Sequence, residues 1–148
     1  MKSKFTRAAI LLCSFVLVLS VKSFAGISTT WNGSISTDWG TAGNWSFGVP
    51  TASVPAIIAT AGKQPTISAT AVCATLTINS GCTLTMSGAV TLTISGGFTN
   101  NSSTSGGFVA GSGTVIFNAT ATIGGTQSTA FNNLTISSGT ITVATNIT

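Results

Sequence analysis

The chain contains no histidine and no tyrosine, and Asp38 is its single acid among 148 residues, of which charged residues make up 4%. Each absence removes a class of chemistry. Glycoside hydrolysis normally takes a pair of carboxylates, and the chain has one. With neither histidine nor glutamate there is no ordinary general base, and a serine or cysteine nucleophile would have nothing to activate it. Zinc and calcium sites lack their ligands for the same reason. The composition therefore predicts a protein that is not an enzyme and carries no cofactor or metal. Cations are few and unevenly placed: Lys2, Lys4, Arg7 and Lys22 precede Ala25, leaving Lys63 to balance Asp38 in the remainder. One cation cannot neutralise a phosphate backbone, so nucleic-acid binding is excluded.

What is present begins with an export signal. Lys2, Lys4 and Arg7 form a positive start, Ala8 to Val21 is apolar apart from Ser14 and Ser20, and Ser23 and Ala25 fit the small-x-small rule for cleavage after Ala25. The apolar run is shorter than the roughly 20 residues of a spanning helix, which argues for a cleaved signal and no membrane insertion after its removal. Cys13 lies inside the apolar run behind Leu12, where a lipoprotein signal would carry a small residue. The reading is a signal peptide over residues 1–25 and a chain that is secreted or held at the cell surface.

Two further zones follow. Residues 26–50 hold Trp31, Trp39 and Trp45 among Gly, Asn and Ser, and end at Gly48-Val49-Pro50. Residues 51–148 become repetitive from Cys73 onward. Leu76-Thr77-Ile78, Leu84-Thr85-Met86 and Leu92-Thr93-Ile94 recur at a fixed interval, each alternating apolar and polar residues with the period of a strand buried on one face. Val115-Ile116-Phe117, Leu134-Thr135-Ile136 and Ile141-Thr142-Val143 continue the style with looser spacing. Glycine and asparagine between the pieces supply the corners. Pieces this short suit the faces of a coil better than sandwich strands of about five or six residues. Their near-verbatim recurrence suggests coils stacked like on like. The expected fold is all-β, a β-solenoid, with the Trp-rich zone as its N-terminal cap. The chain stops at Asn146-Ile147-Thr148 within strand-like sequence, which predicts a fragment of a longer chain. An uncapped C-terminal coil with almost no charge is also expected to self-associate through its open edge.

The run Thr30-Trp31-Asn32-Gly33, Thr37-Asp38-Trp39, Ala42-Gly43-Asn44-Trp45 and Gly48-Val49-Pro50 resembles the start of the passenger region in bacterial β-helix surface proteins. These are the autotransporter-like adhesins and the secreted surface proteins of Bacteroidetes. Gln64-Pro65-Thr66-Ile67 and Gly111-Ser112-Gly113-Thr114-Val115-Ile116-Phe117-Asn118 resemble the same group. The resemblance implies a right-handed parallel β-helix displayed or released outside the cell, with an extracellular glycan or a host surface ligand as partner. The group's outer-membrane barrel and C-terminal sorting domain have no counterpart here.

A few residues invite specific roles. Cys73 and Cys82 are allowed a disulfide by an oxidising compartment, or they stay as buried thiols. Strand parity with Leu76 and Ile78 turns Cys73 outward, while Cys82 shares parity with Leu84 and points inward. Trp31, Trp39 and Trp45 are read as a packed cap, with sugar stacking as the alternative. Asp38 is expected to cap a turn beside Trp39. The outward pairs Thr75/Thr77, Thr83/Thr85, Thr91/Thr93 and Thr140/Thr142 resemble the threonine arrays of ice-binding solenoids, interrupted from Thr99 to Thr114. The function these readings predict is a non-catalytic, adhesin-type surface module. The non-catalytic N-terminal part of a polysaccharide-active β-helix enzyme is the alternative, and an ice-binding solenoid comes third.

Overall fold

The structure, a computed structural model, describes residues 26–103, 106–144 and 147; the expected signal segment lies outside the described residues. Among the described residues thirteen short strands stack in parallel into three sheets. The first sheet runs β1 (Thr29–Trp31), β2 (Ala56–Ile58), β5 (Leu76–Ile78), β8 (Phe98–Asn100), β11 (Ala121–Gly125) and β13 (Ile141–Val143). The second holds β4 (Ala71–Cys73), β7 (Thr91–Ile94), β10 (Thr114–Phe117) and β12 (Asn133–Ile136). The third holds β3 (Thr66–Ile67), β6 (Leu84–Met86) and β9 (Phe108–Val109). From β2 to β11 chain order visits the first, third and second sheets in turn, so each circuit is one coil and the fold is a parallel β-solenoid of about four turns. Among the described residues the only helical element is a 3₁₀ turn at Ala42–Asn44.

The threefold Leu-Thr-Ile motif does not do what its recurrence suggested. Leu76-Thr77-Ile78, Leu84-Thr85-Met86 and Leu92-Thr93-Ile94 lie in three different sheets, so they go once round a single coil. The residues stacked on Leu76 are Ala56 below and Phe98 above. A coil thus takes roughly 20 to 25 residues, at the short end for stacked repeats. The physical reason is reach: three residues at about 3.3 Å each make one face, and a corner must follow before the next.

Alternation within each face builds the core. In β5, Leu76 and Ile78 are fully buried while Thr77 is half-buried on the outside. The inward column of the first sheet reads Ala56, Leu76, Phe98, Ile123, and that of the second reads Cys73, Ile94, Phe117. Both columns start small next to the Trp-rich end, at Ala56 and Cys73, and reach phenylalanine at Phe98 and Phe117, so side-chain size changes from coil to coil within one continuous packed core. Each fully buried aliphatic side chain contributes about 1.5–3 kcal/mol.

Cys73 is corrected by the same columns. It faces inward beneath Ile94 and is buried, and it is Val72 that is exposed. Parity failed because Ala74 and Thr75 form a corner between β4 and β5, and the alternation restarts there. Tight turning elsewhere relies on glycine: Gly125 ends β11 at φ 119° with the Asn100 backbone in the space a Cβ would take, a conformation and an approach that a side chain would forbid.

Candidate functional site

The Trp-rich zone is both cap and coil. Its first strand, β1, pairs with β2 in the solenoid, and Asp38 forms a parallel bridge to Thr66 at the start of β3. The chain then folds back over the open edge of β1. Trp45 bridges Trp31 in antiparallel fashion, Ser46 N donates to Thr30 O at 2.9 Å, and Thr30 N donates to Ser46 Oγ at 3.0 Å. Thr29, buried at an inward position, satisfies its hydroxyl by donating to Gly48 O at 2.9 Å and accepting from Phe47 N at 3.2 Å. The edge that would otherwise recruit another strand is therefore occupied by the protein's own backbone.

The three indoles sit together under this flap. Trp45 meets Trp31 edge to face at 5.1 Å and Trp39 edge to face at 4.7 Å between ring centres, a favoured aromatic geometry. Exposures of 1% for Trp31, 3% for Trp39 and 4% for Trp45 leave no ring face for a sugar to stack on. Trp31 Nε1 donates to Lys63 O at 2.7 Å and Trp45 Nε1 to Trp39 O at 2.8 Å, while the buried Trp39 Nε1 has no acceptor.

Asn44 organises the cap, a role the sequence did not announce. It is fully buried, and its Oδ1 accepts from the backbone N–H of Ile35 and of Ser36, each at 2.9 Å. Its Nδ2 donates to Ser36 Oγ at 3.0 Å and to Asp38 O at 2.9 Å. Its main-chain oxygen accepts from Asn32 and Gly33. A buried amide survives only when its donors and acceptors are all used, and this one pins the 32–38 loop with them. The one signal available was an asparagine wedged between Gly43 and Trp45 in a segment without regular alternation. Deeper in the solenoid Asn100 does similar work, accepting from Ser102 N at 3.1 Å and donating to Thr129 Oγ1 at 3.1 Å.

Asp38 caps its turn: Oδ2 accepts from Thr41 Oγ1 at 2.8 Å and its carbonyl from Thr41 N at 3.3 Å. It also lines a cavity of about 180 Å³ between the cap and β4, with Trp39, Val49, Pro50 and residues 68–72 as the other walls. A single carboxylate there can accept hydrogen bonds but has no second acid or base to work with. Among the described residues, no group of three or more His, Cys, Asp or Glu side chains could hold a metal ion. No described helix is long and apolar enough to cross a membrane.

Cys73 and Cys82 are both buried and free, and the expected alternative of a bridge is not formed. They belong to different faces, Cys73 in β4 and Cys82 ahead of β6. Burial pushes the Cys73 thiol up to about 12, because a thiolate there would sit among apolar side chains without a counter-charge. Cys82 Sγ contacts Ser80 O at 3.7 Å and Thr60 Oγ1 at 3.8 Å.

The outward threonines form columns, though not the ones anticipated. Thr114 stacks directly on Thr91, so the stretch after Thr99 rejoins the array. What breaks regularity is chemistry within the columns: Val72, Thr93, Ile116, Thr135 in one, and Thr91, Thr114, Asn133 in its neighbour. On the first sheet Thr77 lies between Ile57 and Thr99. Ordinary strand preference for β-branched residues accounts for this mixture, and the uninterrupted threonine ladder that ice binding calls for is not there.

Comparison with curated proteins and with solved structures gives no match. Residues 30–112 match the family model described as a domain of unknown function, DUF8693. That span starts in β1, takes in the whole indole cap and runs past β9, covering more than half of the chain. The chain belongs to the DUF8693 family.

Proposed function

We propose that this chain is a non-catalytic extracellular module of adhesin type, the capped beginning of a β-solenoid that projects from or binds at a surface. The observation that carries the reading is the cap. Self-pairing of segment 45–48 with β1 and the buried indole stack make a finished end from which coils are built outward. A stack of coils is a stiff, quasi-one-dimensional body, suited to spacing and display. Support also comes from side-chain chemistry: among the described residues the charged groups are Asp38 and Lys63, both near the capped end, and Lys63 Nζ is held on Ile35 O at 2.9 Å.

Export and binding are tested separately. Expressed in a bacterial host, the full chain is expected to lose residues 1–25 and to begin at Gly26 by amino-terminal sequencing of the exported fraction. An uncleaved, cytosolic product contradicts the extracellular reading. Beads coated with the exported chain are expected to adhere to polysaccharide-coated or cell-coated surfaces without releasing soluble sugar. Released sugar products would overturn the non-catalytic reading and favour a polysaccharide-active one.

A further inference from the structure

Taking the glycan-binding role of an adhesin-type module as given, we propose that the cavity between the cap and β4 is its binding site. The ligand is one sugar ring at the end of a glycan, held by the Asp38 carboxylate and the indole N–H of Trp39.

The walls are fixed before any ligand arrives. On one side the cap holds Asp38 and Trp39: Trp39 N donates to Thr66 O at 3.0 Å, and Asp38 O accepts from Asn44 Nδ2 at 2.9 Å. On the other side stand the corner at residues 68–70 and the start of β4. Pro50 and Ala71 are buried and Val49 is half-buried, which makes the inner surface apolar, while Gly40, Ser68 and Thr70 are exposed. The space is about 180 Å³. One water needs only about 10–15 Å³ and about 150 Å³ admits a benzene ring, so there is room for one six-membered ring.

The polar groups select which ring. Trp39 is 3% exposed, and among the described residues its Nε1 is the buried side-chain polar atom without a partner. A buried N–H left unpaired is costly, and a ligand oxygen is the acceptor it lacks. Asp38 Oδ2 accepts from Thr41 Oγ1 at 2.8 Å and Oδ1 lies 3.5 Å from Ser68 Oγ, which leaves the carboxylate lone pairs for ligand hydroxyls. A ligand that accepts at one point, donates at another and lays C–H groups on Val49, Pro50 and Ala71 is a pyranose. An amine satisfies the carboxylate alone and brings a second donor to the indole N–H. No indole face is needed, because the buried ring contributes only its N–H.

The three indole N–H resonances of the purified, nitrogen-15-labelled chain read the site during titration with the methyl glycosides of glucose, galactose, mannose and N-acetylglucosamine. At least one glycoside is expected to move the Trp39 signal and to saturate in roughly the millimolar range, the affinity that a ligand of this size can reach. The Trp31 and Trp45 signals are expected to stay, since those N–H groups are already bonded within the protein. D38N removes an acceptor. G40L fills the space beside the carboxylate, since a Cβ on Gly40 meets Asp38 Oδ2 at 3.4 Å and its φ is not positive. Each is expected to weaken binding about tenfold or more while Trp31 and Trp45 keep their signals.

Four glycosides that leave Trp39 unmoved, a shift that neither variant weakens, or tighter binding of cyclohexylamine than of every glycoside would each overturn the proposal. Beads that adhere to polysaccharide while no glycoside moves Trp39 overturn this site and leave the adhesin reading standing. A saturable Trp39 shift without bead adhesion supports the site and contradicts that reading.

Discussion

The side-chain amide of Asn44 donates to the main-chain oxygen of Asp38 at 2.9 Å while its own oxygen holds the N–H groups of Ile35 and Ser36. One buried residue thereby fixes both the loop that carries Asp38 and the turn that delivers Trp45 to the indole stack. The packing of three large aromatics thus depends on a polar side chain that touches solvent nowhere.

Asn44→Ala strips those bonds and leaves two part-buried backbone donors, Ile35 N and Ser36 N, without partners, while Asp38 O keeps Thr41 N and Ser36 Oγ keeps Asp38 N. The expected loss is about 2–4 kcal/mol, since each stranded group costs about 1–3 kcal/mol and part is regained by relaxation. Urea denaturation measures it, and near-ultraviolet circular dichroism is expected to lose the signal of the ordered indoles. An unchanged midpoint would show that the cap is held by the rings alone.

Gly125 and Gly81 both have positive φ, at 119° and 76°, but only Gly125 is crowded, with a side chain there meeting the backbone of Asn100. Gly81→Ala keeps open space around it and is expected to cost about 1–2 kcal/mol, the penalty of a left-handed conformation. Gly125→Ala adds a clash to a conformation essentially reserved for glycine and is expected to cost more than about 3 kcal/mol. Thermal or urea unfolding of the two variants decides; equal losses would mean that the corner after β11 is slack.

Cys73 makes stability depend on alkaline pH. Its thiol is raised from 9.0 to about 12 by burial, so above pH 9 the unfolded chain releases a proton that the folded chain keeps. Stability contributed by the neutral buried thiol is complete below pH 9 and is lost as pH rises toward 12. The slope approaches about 1.4 kcal/mol per pH unit. Cys73→Ala is expected to be less stable at neutral pH and to lose this part of the slope. In the chain without residues 1–25, and so without Cys13, thiol reagents should find Cys73 unreactive when folded and two free thiols when denatured and unreduced. A denatured chain lacking both free thiols would mean that the cysteines pair in solution.

The architecture was legible where local pattern and burial agree. Alternation in Leu76-Thr77-Ile78 and its kin specified short, one-face-buried strands, and glycine spacing specified corners. Register was not legible, because a motif repeated at the interval of one face looks the same whether it runs round a coil or up a stack. Length of the circuit decides that, and it depends on corners such as Asn79-Ser80-Gly81 whose geometry is tertiary. Cys73 was misplaced for the related reason that parity does not survive a corner. Asn44 and Asn100 escaped notice because a buried amide is identified by partners distant in sequence, Ile35 and Thr129 among them. The indole cluster lay closer to the surface of the sequence: three tryptophans in a short, glycine-rich stretch ahead of the first regular coil.

The most direct test of the account is a pair of disulfide-trapping variants on the outer face. Thr77 and Thr99 are register partners on adjacent parallel strands, at the strand spacing of about 4.8 Å that a disulfide can span. Thr77 and Thr85 belong to different faces of one coil. With Cys73 and Cys82 buried, mild oxidation of T77C/T99C is expected to close an intramolecular bridge in nearly every molecule and that of T77C/T85C in almost none. The reverse pattern would mean that the Leu-Thr-Ile pieces stack on one another, and the solenoid described here would be wrong.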